Sequence, residues 1–269
     1  MNTLTHRGTA LITGASSGIG AVYADRLAQA GYDLILVARS ADKLRTLAQQ
    51  LTTRSGRSVE TLAADLTKAT DLAKVETVLK TDASITVLVN NAGVGATAPL
   101  LQSEIGKMEQ MITLNVSVLT RLAYAAAPAF VSRGTGTIIN ISSIAAVAPE
   151  LLNGVYGGSK AFVLAFSQSL QHELADKGVR VQAVLPGAIA TEFWSIAGTP
   201  LEYLPQSIVM SAEDLVDAAL AGLKQGEVVT IPSLPDHADW DTFESARKAL
   251  GPGLSRSKPA ARYVNVNSP

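Results

Sequence analysis

The octet Thr13-Gly14-Ala15-Ser16-Ser17-Gly18-Ile19-Gly20 limits the fold of this chain more than any other stretch. It follows the short apolar run Thr9-Ala10-Leu11-Ile12. Helical periodicity with Val22, Leu27 and Ala30 on one side comes after it and stops at Gly31. A strand that enters a glycine turn and leaves as a helix opens a parallel α/β unit. In that setting Gly14 permits the tight turn, Gly18 lets backbone approach a pyrophosphate, and Gly20 lets helix pack on strand. The helix N-terminus then faces phosphate with free N–H groups and a positive dipole end. Ser16, Ser17 and Ile19 fall in the same candidate dinucleotide cradle.

Strand and helix patterns alternate from there on. A second apolar run, Asp33 to Ala38, ends at Arg39-Ser40. Where NAD is bound, an acid about 20 residues past the glycines holds the ribose 2′-hydroxyl. Arg39 occupies that place, nineteen residues after Gly20. A carboxylate there repels a 2′-phosphate, whereas a guanidinium beside a hydroxyl binds it. NADP is therefore the expected cofactor, with a solvated arginine at a helix start as the plain alternative. Leu44, Leu47 and Leu51 mark a helix from Ala41 to about Thr53. Val59 to Ala64 reads as a third strand closed by Asp65-Leu66, and Asp65 could equally cap the helix that follows Thr67. Ile85 to Val89 makes a fourth strand running into Asn90-Asn91-Ala92-Gly93, which a structural turn would also use. Helix patterns from Ser103 and from about Met108 to Val131 precede a fifth strand, Gly136 to Ser143.

Chemistry is concentrated at Tyr156-Gly157-Gly158-Ser159-Lys160. At the start of a helix running to about Lys177, Tyr156 and Lys160 stand at i and i+4 and share a face. A phenol with an ordinary pKa of about 10 becomes a workable acid–base group when an ammonium nearby favours its phenolate. Ser143, thirteen positions upstream at the end of its strand, points into the crevice where α/β sheets hold ligands. Ser142 is its rival, and the interval to the tyrosine selects Ser143. A sixth strand, Val179 to Leu185, leads into Pro186-Gly187-Ala188-Ile189-Ala190-Thr191.

Glycine octet, Asn-Asn-Ala-Gly turn, serine and Tyr-x-x-x-Lys, in this order, resemble the short-chain dehydrogenase/reductase family from about Thr9 to Met210. The octet matches that family's T-G-x-x-x-G-x-G spacing. The resemblance implies a doubly wound Rossmann fold, a parallel sheet of about seven strands with helices on both faces. It implies Asp65 and Leu66 at the adenine, and Asn90 or Asn91 with Ala92 and Gly93 along the adenosine. Pro186, Gly187, Ile189 and Thr191 would form the nicotinamide corner. Asn115 is implied as the fourth catalytic residue, distorting its helix locally and holding a water next to Lys160. Hydride would pass between nicotinamide and a carbonyl or secondary alcohol while Tyr156 protonates the oxygen, Ser143 polarises it, and Lys160 tunes the tyrosine and bonds the cofactor ribose. The departure is Gly157-Gly158, where many relatives carry alanine before the Ser-Lys pair. Each glycine weakens the first helical turn by about 1 kcal/mol relative to alanine.

The remaining sequence bounds the function. With no cysteine and only His6, His172 and His237 as imidazoles, thiol chemistry is excluded and no metal site is expected. A net charge of −1 over 269 residues offers no groove for nucleic acid and no anchor for an anionic membrane surface. No leader or membrane span is evident, so a soluble, cytoplasmic enzyme is expected. Residues 1–250 read as one catalytic domain and 251–269 as a tail. Glu192 to Met210 reads as an irregular lid over an apolar substrate. It carries Phe193, Trp194 and Tyr203 but no Lys or Arg. Surplus apolar residues on the Tyr156 helix (Phe162, Leu164, Phe166) suggest a homodimer or homotetramer. A 3-oxoacyl-thioester reductase, a non-catalytic dinucleotide sensor, and dehydration or epimerisation on the same scaffold remain as alternatives.

Overall fold

The computed structural model describes residues 7–264. The six positions before them, with His6, and the last five of the expected tail lie outside the described residues. The chain divides into two compact units, Met1–Pro232 and Ser233–Pro269.

The first unit begins with strand β1 (Thr9–Thr13), helix α1 (Gly18–Gln29), β2 (Asp33–Ala38), α2 (Ala41–Ser55), β3 (Val59–Ala63), α3 (Ala69–Thr81) and β4 (Ile85–Asn90). Then come α4 (Ile105–Ile112), a π-helical turn over Thr113–Val118, α5 (Leu119–Arg133), β5 (Gly136–Ile141), α6 (Gly154–Leu174) and β6 (Val179–Val184). It ends with β7 (Ala188–Ile189), α7 (Phe193–Ala197), β8 (Val209–Met210), α8 (Ala212–Gln225) and β9 (Val229–Thr230). Seven strands form one parallel sheet in the order β3-β2-β1-β4-β5-β6-β9.

Both faces of that sheet are covered, so its central strands are mostly apolar and buried on both sides rather than alternating. β1 and β5 are buried along their whole length. Period-two side chains still divide the core into two layers. Ala10, Ile12, Leu34 and Leu36 meet α1, α2 and α8, while Leu11, Ile35 and Val37 meet α3, α5 and α6. The sheet order reverses direction between β1 and β4, and a crevice opens at such a switch point beyond the carboxyl ends of the strands.

Helix boundaries follow their caps. The Ser40 side chain accepts from Lys43 N, Asn153 from Val155 N and Ser211 from Asp214 N, at the starts of α2, α6 and α8. Of the two glycines in the first turn of α6, Gly157 is closely packed. A Cβ on it would sit 3.2 Å from Pro149 Cα. Gly158 is exposed and nothing lies within 4 Å of its Cβ position. Gly158→Ala is therefore expected to raise stability by roughly 0.5–1 kcal/mol, read as a higher urea midpoint. An unchanged or lower midpoint would show that this turn needs glycine for another reason.

Three elements differ from the sequence reading. Glu192 to Met210 is not irregular: it contains α7, two 3-10 turns and β8, which pairs in parallel with β7 (Ala188 with Val209, Ile189 with Met210). The last strand, which the sequence pattern predicts from Glu227 to Ile231, is only Val229–Thr230 and pairs with β6 at two positions. The runs expected from Ser103 and from about Met108 to Val131 form one stretch, Ile105–Arg133, interrupted by the π turn inside the second; it is long and apolar enough to cross a membrane by length and composition. Part of that stretch is a core face: Val118, Leu122 and Phe130 pack beneath the sheet.

The second unit holds α9 (His237–Ala249), the 3-10 turn Gly251–Gly253 and α10 (Ala261–Val264). Asp236 caps α9 through Ala238 N, and Trp240 lies against Phe243 with ring centroids 5.3 Å apart. The expected boundary at residue 250 falls inside this unit.

Candidate active site

A cleft of about 1050 Å³ runs along the carboxyl ends of the strands. Its walls include Gly14, Ser16, Ser17, Gly18 and Ile19 after β1, and Arg39 with Ser40 after β2. Asp65 and Leu66 after β3, and Asn91, Ala92 and Gly93 after β4, continue it. Ser143 after β5, Tyr156 and Lys160 on α6, and Pro186, Gly187, Ile189 and Thr191 after β6 complete it. Of the site residues expected from sequence, Gly20 and Asn115 stand behind the wall rather than in it.

The glycine turn is shaped by close approach. Gly14 has φ +65°, and a Cβ there would meet Ala92 Cα at 2.9 Å; one on Gly20 would lie 2.3 Å from the Gly14 carbonyl oxygen. Asn91 Nδ2 donates to the carbonyls of Thr13 and Gly14 at 2.9 and 3.1 Å, which fixes this turn against the end of β4. Asn90, by contrast, is buried and its Nδ2 donates to Asn140 Oδ1 at 3.0 Å. It belongs to the core and not to the adenosine wall, because neighbouring strand residues point to opposite faces.

Polar groups are arranged differently at the two ends of the cleft. At the open end Arg39 is exposed and has no hydrogen-bond or ion-pair partner among the described residues. Asp65 Oδ1 accepts from Thr67 Oγ1 at 2.7 Å and Thr67 N at 3.1 Å, which holds its carboxyl below the usual range; charges on Lys68 and Arg39 contribute less. Asp65 thus closes a tight turn, while the N-cap position of α3 is Lys68. Lys43, in the first turn of α2, reaches across to Glu192 at 3.6 Å. It adds a second cation beside Arg39 that the sequence reading missed, although a lysine four positions on, in a helix's first turn, was a visible signal.

At the closed end Ser143, Tyr156 and Lys160 are all buried. Ser143 lies close enough to the Tyr156 hydroxyl to favour its phenolate; its Oγ accepts from Ala145 N at 3.1 Å and donates to the Pro186 carbonyl at 3.5 Å. Lys160 Nζ donates to the Ile141 carbonyl at 2.9 Å and lies 5.8 Å from the Tyr156 ring centroid. Ser142 Oγ donates to the Lys160 carbonyl at 2.8 Å, so the rival serine holds backbone and not substrate. Burial pushes the Tyr156 phenol up to about 12, against a smaller lowering by Ser143, and pulls Lys160 down to about 8. Loss of water is thus the main influence on both groups in the protein alone.

Asn115 sits in the π turn, a local distortion of the helix of the kind expected there. Its Nδ2 donates to the Val94 carbonyl at 2.9 Å and Ser159 Oγ at 3.1 Å, and its Oδ1 accepts from Val94 N at 3.0 Å. Next to these groups, residues 8–199 match the family profile described as short chain dehydrogenase. The chain belongs to the short-chain dehydrogenase family.

Solved members of the family share the whole architecture. A short-chain dehydrogenase of Sphingobium yanoikuyae, in complex with NADPH, is 50% identical with a TM-score of 0.92, over 95% of this chain and 99% of that one. The bulky-bulky ketone specific alcohol dehydrogenase of Comamonas testosteroni is 43% identical with a TM-score of 0.89, over 97% and 100% of the two chains. The very-long-chain 3-oxoacyl-CoA reductase of Rattus norvegicus is 34% identical over 78% of this chain and 67% of its own length.

A dinucleotide bearing a 2′-phosphate fits the groups of this short-chain dehydrogenase. The N-cap Ser17 makes no side-chain capping bond, so the start of α1 keeps its donors directed outward, and the unpartnered Arg39 stands one strand away. The lid sorts its aromatics by task. Trp194 is buried and donates Nε1 to the Ile189 carbonyl at 3.0 Å, which anchors the lid to the Pro186–Thr191 corner. Phe193, not Trp194, faces the chemistry: its ring centroid is 5.9 Å from that of Tyr156. A Cβ on Gly95 would come within 2.2 Å of its Cζ.

Proposed function

We propose that this protein is an NADPH-dependent carbonyl reductase, reversible toward secondary alcohols, whose preferred substrates are uncharged ketones or aldehydes with large apolar groups. The observation that carries the reading is the polarity of this cleft. A free guanidinium and a lysine mark the open end, and the closed end joins Ser143, Tyr156 and Lys160 to an apolar lid. NADPH, when bound, supplies the hydride. Ser143 orients the substrate carbonyl by donating to its oxygen, and Tyr156 protonates that oxygen. Lys160, charged below about pH 8, stabilises the phenolate left behind and binds the cofactor ribose. Asn115 holds the Val94 strap and the first turns of α6 around these groups, and a water beside Lys160 returns protons. The NADPH complex and the ketone specificity of the two solved relatives support this reading.

Over the substrate end, Phe193, Ile196, Leu204 and Ile208 line the cleft, and no Lys or Arg occurs from Thr191 to Met210. A carboxylated or phosphorylated substrate would call for a cation there; an apolar one gains about 25 cal/mol per Å² buried. Following NADPH absorbance across a carbonyl series, kcat/KM is expected to rise with apolar bulk. Phe193→Ala should change the order of the series more than Trp194→Ala, which loosens the lid for every member. A preference for small anionic keto acids would overturn the reading, and binding of NADPH without turnover would favour a sensor. A 3-oxoacyl-thioester reductase is a second reading, favoured by the very-long-chain 3-oxoacyl-CoA reductase relative, and an acyl thioester in the same panel decides it.

We also read the protein as a soluble, cytoplasmic homodimer or homotetramer with one catalytic domain. Tyr124 on α5 stacks on Phe166 of α6 at 6.5 Å, and Phe166 on Phe162 at 5.6 Å. Tyr124 is 68% exposed and Phe162 38%. An aromatic row left this open suits a symmetric interface in which α6 meets its mate beside α5. Light scattering at micromolar concentration should show a dimer or larger; a monomer would remove the proposal.

A further inference from the structure

The first turn of α6 carries the proton donor on weak local structure. Gly154, Gly157 and Gly158 surround Tyr156, and nothing lies within 4 Å of the Cβ positions of Gly154 and Gly158. Helix propensity therefore does little to fix this turn. What fixes it is Asn153, a buried N-cap whose polar groups are all engaged. Its Oδ1 accepts from Val155 N at 2.9 Å and its backbone carbonyl from Gly157 N at 2.9 Å. Nδ2 donates to the Ala98 carbonyl at 2.6 Å and to Ser103 Oγ at 3.1 Å. Capping requires only the oxygen, which serine or aspartate also supplies. The two donors are what an amide adds.

Those donors hold the loop 94–103, and the lid hangs on the same loop. Thr97 donates to the Ala197 carbonyl from its backbone N at 3.1 Å and from Oγ1 at 3.0 Å. Its Oγ1 also meets Thr199 Oγ1 at 3.0 Å. Phe193 rests on Gly95 of this loop with no room for a side chain between them. Asn153 itself makes no hydrogen bond to α7, so an effect of Asn153 on the lid passes through the loop or through the contact of Tyr156 with Phe193.

We propose that Asn153 is a positioning residue for Tyr156, tying the tyrosine turn to the loop that holds the lid, so that lid closure and placement of the phenol are coupled. The proposal rests on the reductase reading for its catalytic consequence and on geometry alone for the coupling. Misplacing a reacting group by about 1 Å costs as much as 10²-fold in rate.

Asn153→Ser keeps the capping oxygen and loses both donors, and hydrogen exchange on the whole chain tests it without turnover. Exchange should quicken in the first turn of α6 and also in the lid segment 193–199. Quickening confined to α6 would show an ordinary helix cap and overturn the proposal, as would no change in either segment. With the best ketone, kcat should fall about tenfold or more while the NADPH dissociation constant stays within about twofold; an unchanged kcat overturns it as well. Should Asn153→Ser fail to fold, Thr97→Val weakens the link at its other end: it removes both Oγ1 bonds, to the Ala197 carbonyl and Thr199, and leaves only the backbone N–H bond to Ala197. It should speed exchange in both segments, and quickening in the lid alone would overturn the coupling. A parent protein that reduces no carbonyl would remove the reductase reading, and the exchange result would still decide the coupling.

Discussion

Tyr156→Phe is expected to lower kcat for carbonyl reduction by about 10² or more and to leave NADPH affinity nearly unchanged. In the reading proposed here the phenol donates the proton beside Ser143 and the ribose contact belongs to Lys160, so proton donation and cofactor binding should separate at this pair. Burial holds Tyr156 at about 12, so it is protonated throughout the neutral range and ready to act as an acid. Lys160 is the group that titrates within reach of physiological pH, at about 8. Its ammonium favours the phenolate formed as the proton leaves. Reduction by the parent should therefore be flat below about pH 8 and decline as Lys160 loses its charge. The residual rate of Tyr156→Phe should lack that limb. Normal turnover with unchanged NADPH affinity would place the proton donor elsewhere.

What sequence could show depended on how local the physics was. The strand, glycine turn and start of α1 were legible because turn geometry, backbone approach and helix packing each impose a residue type within eight positions. Ser143, Tyr156 and Lys160 were legible because their order and intervals are set by one strand end and one helix face. Asn90 and Asn91 were not separable, since the side that each faces depends on the pleat of β4. The pairing of β7 with β8 joins residues about twenty positions apart, and nothing in Glu192 to Met210 announces it. The raised Tyr156 and lowered Lys160 follow from burial of the pair, a property of the assembled core, while the Tyr-x-x-x-Lys spacing speaks only of their mutual distance. Asn153 was not legible, because its amide contacts run to a loop fifty positions away.

Cofactor choice should follow Arg39. NADPH is expected to be preferred over NADH by about ten- to a hundredfold in kcat/KM, the equivalent of one charge-assisted phosphate contact at roughly 1.5–3 kcal/mol. Arg39 is the better donor because it has no hydrogen-bond or ion-pair partner among the described residues, whereas Lys43 must first leave Glu192. That exposed pair is worth little by itself, so a phosphate can draw Lys43 over at small cost. Lys43→Ala should accordingly reduce the preference less than Arg39→Ala does. Arg39→Asp goes further: it removes the guanidinium and sets a second carboxylate near Asp65. A 2′-phosphate is then repelled, while a 2′-hydroxyl gains an acceptor. The order of the two cofactors should reverse, and the parent's advantage with NADPH should shrink as salt is raised, because an exposed contact is screened. Equal kinetics with both cofactors in the parent would show that Arg39 is a solvated arginine at the start of α2 and nothing more.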